Sequence, residues 1–143
     1  MTRLTLALAN KIIDAALERA RELAIKPLAV VVLDEAGHLK AAQREDAASM
    51  FRIDVATGKA WAAVGMGASS RTLLQRAKDN PQFYGALAAT AGGRFLPQTG
   101  AVLIRDKDGN LLGAAGASGG TGEEDEAVCL FGIAAAGFAS DPT

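Results

Sequence analysis

The 143-residue chain has one cysteine, one histidine, one tryptophan and one tyrosine, and only 5% of its residues are aromatic. A lone Cys129 excludes an intrachain disulfide, and with a single histidine it cannot build a zinc site. Its position in an apolar segment marks it as a small buried hydrophobe. No basic excess exists either: 15 lysines and arginines stand against 16 acids, for a net charge of −1. Nucleic-acid binders carry a clustered basic surface, so nucleic acid is not an expected partner. No apolar run approaches the ~20 residues of a membrane span, and the N-terminus lacks the apolar block and cleavage site of a secretory signal. The expectation is a soluble, cytoplasmic chain, with residues 1–143 forming one domain.

What the chain has in plenty is small and aliphatic. Half of its residues are hydrophobic and 16 are glycine, a composition that favours close approach of helices or subunits. From Thr5 to Ala24, Leu6, Ala9, Ile12, Ile13, Ala16, Leu17, Ala20 and Leu23 recur at helical spacing, and Pro27 closes the segment. Val30–Leu33, a turn at Asp34–Gly37 and a strand over His38–Gln43 read as a hairpin. Val102–Ile104, a turn at Asp106–Asn110 and Leu111–Ala117 read as a second. Asp34 and Asp106, Gly37 and Gly109, and Leu39 and Leu111 correspond at one constant offset, which shared turn chemistry explains as well as duplication does.

Between the hairpins the spacing predicts helices. One spans 51–67, with Gly58 a weak spot and Gly65 and Gly67 ending it. The next starts at a Ser69 or Ser70 N-cap and stops before Pro81, where a third begins. A last helix covers Glu123–Ala136, with Gly137 just beyond its end. Two hairpins with helices between and after them specify an α/β (α+β) domain with an antiparallel sheet, and argue against a Rossmann sheet.

The glycine-rich stretch 113–127, GAAGASGGTGEEDEA, invites a phosphate-loop reading. It lacks the Walker lysine and the dinucleotide glycine spacing. Thr121 and Glu124 instead form a capping box, and Glu123–Glu126 complement the helix dipole as solvated acids. Gly116–Gly120 matches G-x-S-x-G in form, but His38 precedes the serine where the hydrolase order puts histidine last. Other candidates are weighed on residue type. His38 is an exposed turn histidine, yet it is also the sole imidazole available as a haem ligand. Lys59, beside Trp61 in an apolar helix, reads as snorkelling. Arg44 and Asp46 end a strand or rim a pocket. Arg94, after Gly92 and Gly93, suits a carboxylate or propionate.

LAVVVLDEAGHLKAAQREDAAS (28–49), GKAWAA (58–63), GGRFLPQTG (92–100) and the G-x-x-G-x-S-G-G…D-E block over Gly113–Glu126 together resemble the GlcG/HbpS family and the C-terminal domain of PduO-type cobalamin adenosyltransferases. The family's usual RMDGA reads Arg44-Glu45-Asp46-Ala47-Ala48 here. The resemblance implies a profilin-like α/β domain with a five-stranded antiparallel sheet, assembly into homo-oligomers, and haem binding in some members.

The expected ligand is a small molecule, with haem or a related tetrapyrrole the first choice. Its pocket would be lined by Gly92, Gly93, Arg94, Gly119, Gly120, Thr121, Arg44 and Asp46, with His38 as the metal ligand. The rival reading is a small cofactor-independent isomerase, lyase or hydrolase acting on an oxo acid. There Glu124 or Asp125 would be the base, and Lys59 or Arg94 would orient a carboxylate. A third is a non-enzymatic scaffold for a neighbouring enzyme.

Overall fold

The computed structural model describes residues 3–141. Along the chain run α1 (Leu6–Glu22), β1 (Ala29–Asp34), β2 (Leu39–Arg44), α2 (Phe51–Met66), α3 (Ser70–Asp79), α4 (Pro81–Thr90), β3 (Ala101–Arg105), β4 (Leu111–Ser118), α5 (Gly122–Ala135) and β5 (Ala139–Asp141). The strands form one five-stranded antiparallel sheet in the order β2-β1-β4-β3-β5. The hairpins β1–β2 and β3–β4 lie side by side because β1 also pairs with β4, setting Val31 against Gly116 and Leu33 against Ala114.

Strand alternation divides the core. Val30, Val32, Val102, Ile104 and Ala117 point to the face covered by α1 and α5. Val31, Leu33, Ala101, Leu103 and Ala114 point to the other, against Ala56, Ala60 and Ala63 of α2. Both faces of β1 are covered, so Val30–Leu33 is a continuous apolar run, each side chain contributing about 1.5–3 kcal/mol on burial. The small residues of β4 let α2 sit close: a Cβ on Gly116 would fall 3.1 Å from that of Ala60. A third cluster, Leu73, Tyr84 and Phe95 with Ala62 and Ala68, holds α3 and α4 to the far side of α2.

The helices and hairpins occupy the predicted segments, with four local differences. β2 starts at Leu39, because the His38 N–H is used in the turn, donating to Asp34 Oδ1 at 3.0 Å. Ser69 is the N-cap residue of α3, but its hydroxyl does not cap the helix. It accepts from the Leu103 N–H (3.1 Å) while Ser70 Oγ accepts from the Ala101 N–H (2.8 Å), completing the β3 edge beside β5. Strand β5 itself carries no pattern of strand residues; pairing with Leu103–Arg105 forms it. Gly58 does not interrupt α2.

Asp106, at the second turn, is buried and accepts from the backbone N–H groups of Asp108 (3.0 Å) and Asn110 (2.9 Å) and from Asn110 Nδ2 (3.0 Å). These bonds, led by the Asn110 side chain, hold its carboxyl below the ordinary value. The charged form is therefore favoured by folding. Its stabilisation is complete above the usual carboxylate range and is lost as pH falls through the depressed folded value. In urea unfolding across a pH series, Asp106→Asn should lose stability less steeply than the parent below about pH 4. An unchanged slope would contradict this account.

Candidate functional site

Two cavities flank α2, and Val55 borders both. The first lies where β4 ends and β3 begins. Lys59 projects there from α2 and is buried, at 5% exposure. Its Nζ donates to the Ala117 carbonyl (3.0 Å) and to Asp125 Oδ2 (3.2 Å), while Asp125 Oδ1 accepts from the Gly120 N–H (3.0 Å). Gly100 makes room for the ammonium: a Cβ there, at φ +136°, would stand 2.6 Å from Nζ. The capping box of Thr121 and Glu124 fixes the first turn of α5 and so delivers Asp125 to this position. Burial pushes the Asp125 carboxyl above its ordinary value, against the pull of the Lys59 charge and the Gly120 N–H. Cys129 is buried beneath, its thiol also pushed up by burial.

Two expectations need correction here. Lys59 does not snorkel, because Asp125 and a strand-end carbonyl meet its charge inside the protein. The four acids after the glycine turn are not uniformly solvated. Glu123 is exposed and Glu124 belongs to the cap, but Asp125 and Glu126 are buried. Glu126 takes a forked pair from Arg71, Nε to Oε2 at 2.9 Å and Nη2 to Oε1 at 2.8 Å.

The cavity beside the Lys59–Asp125 pair measures about 340 Å³ and is also lined by Arg52, Thr99, Ser118 and Gly120. Arg52 Nη1 donates to Ser118 Oγ (2.9 Å) and its Nε to Ser49 Oγ (3.3 Å). The second cavity, about 550 Å³, is bounded by Trp61, Gly58, Leu96, Gly92, Gly93 and Arg94. The Arg94 guanidinium carbon lies 4.4 Å from the Trp61 ring centroid, a cation–π geometry. The Leu96 N–H donates to the Gly58 carbonyl at 3.3 Å, tying the 94–96 segment to α2.

The sequence-derived candidates are thus distributed over several places. Gly92, Gly93 and Arg94 share the second cavity; Lys59, Gly120 and Asp125 share the first. Gly119 backs onto Pro27 and Leu28, and Thr121 and Glu124 serve the cap. Arg44 and Asp46 are exposed and line neither cavity, the Arg44 Nη1 donating to the Ala48 carbonyl at 2.6 Å. His38 is exposed on a hairpin whose Gly37 lies against the Trp61 indole. Sequence reasoning missed Arg52, Thr99 and Ser118. A signal existed for Arg52, which stands seven residues before Lys59 and so shares its helix face. Among the described residues no three His, Cys, Asp or Glu side chains gather as metal ligands, and no helix is long and apolar enough to cross a membrane.

Removing one member of a buried ion pair strands the other charge, at a cost of about 3–5 kcal/mol. Lys59→Met should lose stability on that scale in urea unfolding. The double variant Lys59→Met/Asp125→Asn, which keeps an acceptor for the Gly120 N–H, should recover much of it. A double variant no more stable than Lys59→Met would show that the charges are not coupled.

Residues 4–134 match the model of a family described as haem degrading protein HbpS-like. The corrinoid adenosyltransferase PduO of Salmonella typhimurium is 30% identical over 126 residues, which are 88% of this chain and 37% of PduO. The chain therefore spans little more than a third of that curated relative. The crystal structure of a PduOC:heme complex superposes with a TM-score of 0.86 at 28% identity, covering 98% of this chain and 99% of that one. A double mutant of HbpS from Streptomyces reticuli superposes at 0.80 with 28% identity, covering 94% and 87% of the two chains. Fold, motif block and family match agree: this chain belongs to the HbpS-like family.

Proposed function

We propose that this chain binds haem or a related tetrapyrrole, as a homo-oligomeric domain, in the cavity between α2 and the 92–96 segment. The observation that carries the reading is an apolar wall with a cation above it. Trp61, Val55 and Leu96 supply flat and aliphatic surface, and Arg94 overlies the indole. A porphyrin needs apolar contact on its ring faces and cations at its propionates. Guanidinium suits the latter through forked, charge-assisted bonds. The volume of about 550 Å³ lies in the ordinary range of small-molecule sites. Similarity to the chain of the PduOC:heme complex supports the same choice.

The cavity lining fits the ring and a propionate, and the iron's ligand would come from outside that lining, which holds no histidine. Trp61 and Leu96 would hold the ring, and Arg94 would pair with a propionate. The axial ligand would be His38, the sole imidazole of the chain, on the hairpin that rests against Trp61. Haem, when bound, supplies iron-centred redox and ligand-binding chemistry; the protein's part is to orient the ring and limit its contact with water. The homo-oligomer belongs to the same reading. The outer edge of β2 pairs with no described strand, and Leu39 on it is 62% exposed. An open edge of this kind is a template for pairing with another chain.

Haemin titration followed at the Soret band, with light scattering on the same samples, tests the proposal. Saturable binding by an oligomer is expected, weakened about tenfold or more by Arg94→Gln, since a lost charge-assisted bond is worth about 1.5–3 kcal/mol. His38→Ala should abolish the red-shifted band. Binding that never saturates would sink the haem reading; saturable binding indifferent to both substitutions would move it away from this cavity.

A further inference from the structure

The polar cavity on the opposite flank of α2 has no part in the haem reading. We propose that it binds a small monocarboxylic acid bearing a second oxygen, an oxo or hydroxy acid, with Arg52 holding the carboxylate and Lys59 donating to the second oxygen.

The charges around the cavity point to a monoanion. Lys59 and Asp125 neutralise each other at 3.2 Å. At the rim, Glu123 is close enough to Arg71 to stabilise the charged guanidinium, so its own charge is partly answered outside the cavity. Arg52 is different. It is half-buried, makes no ion pair among the described residues, and spends two of its five N–H donors on the serine hydroxyls of Ser118 and Ser49. A guanidinium held by neutral hydroxyls at the wall of a cavity is a carboxylate receptor with its orientation already set.

The second oxygen follows from Lys59. An ammonium has three donors, and protein acceptors take two of them, Ala117 O and Asp125 Oδ2. The remaining N–H belongs to a side chain that lines the cavity. Arg52 and Lys59 share one face of α2 and reach neighbouring residues of β4, the Ser118 hydroxyl and the Ala117 carbonyl, so their two cationic heads converge on the same end of the cavity.

Phosphate is a poorer fit. The donors at the start of α5 are already occupied, Gly120 N–H by Asp125, Thr121 N–H by Glu124 Oε1, and Glu124 N–H by Thr121 Oγ1. The carboxylates of Glu123 and Asp125 further oppose a dianion. A volume of about 340 Å³ accommodates a small acid with room to spare.

The test is an amide-resolved NMR titration of the full chain with pyruvate, lactate, acetate and inorganic phosphate in turn, supported by calorimetry. Pyruvate or lactate should saturate, moving the Gly120 and Gly122 amides more than those of Gly92 and Gly93. Acetate and phosphate should bind at least about tenfold more weakly. Arg52→Gln should weaken the best probe about tenfold or more, and Arg52→Lys, which keeps the charge but not the fork, should fall between. No saturation by pyruvate or lactate, equal affinity in Arg52→Gln, or acetate or phosphate binding as tightly as the oxo and hydroxy acids would each overturn the proposal. None of these readouts depends on haem.

Discussion

The Lys59–Asp125 ion pair is the contact on which the two helical layers of this domain converge. Lys59 comes from the helix on one face of the sheet and Asp125 from the first turn of the helix on the other. They meet at the sheet end where β3 begins and β4 stops. Two buried charges are costly to desolvate and are tolerated only when good geometry and further hydrogen bonds support the pair. Here the Ala117 carbonyl and the Gly120 N–H each supply such a bond, and one N–H of Lys59 is left for the adjoining cavity. The glycine turn exists for this purpose. It lets the backbone pass close to Pro27 and Leu28 and then deliver an acid into the interior, with Gly100 leaving space for the ammonium.

That constraint separates the chemistry of the molecule into two environments on either side of one helix. The flank facing Gly92–Leu96 carries Trp61, Val55 and Leu96, with one guanidinium stacked on the indole and Asp54 and Thr57 at its border. The flank facing Ser118–Asp125 is polar, and of its two cations Lys59 is held by Asp125 and Arg52 by hydroxyls. The helix supplies both because its residues change character with angle: Gly58 and Trp61 on one side, Arg52 and Lys59 on the other, and Ala56, Ala60 and Ala63 against the sheet. The alanine face brings α2 close enough to the sheet for Lys59 to reach a strand carbonyl.

Much of the fold was legible from local physics. Helix α1 announced itself by its apolar spacing, the two hairpins by β-branched runs around Asp-to-Gly turns, and α5 by its capping box. Strand β5 was not legible in its residues, because Ala139–Asp141 has no strand preference and forms only by pairing with β3. The serines before α3 marked its start correctly, since Ser69 is the N-cap residue, but not where their hydroxyls bond. Ser69 and Ser70 have N-cap chemistry, but the β3 edge lies within reach and takes their hydroxyls. Of the site, Arg94 and its glycines were recognisable as a turn bearing a free cation. Arg52 was overlooked because an arginine early in an amphipathic helix looks like an ordinary solvated charge.

The sequence by itself determined the order of elements, the antiparallel hairpins, the two-sided burial of β1 and the family, since these depend on local propensity, periodicity and a contiguous motif. Only the tertiary structure decided which charges are buried. Lys59 and Asp125 are 66 residues apart, and each alone has a plausible place in water. Burial of a charge depends on whether an opposite charge arrives at the same point in space, and that is settled by the packing of α2 and α5 about β4.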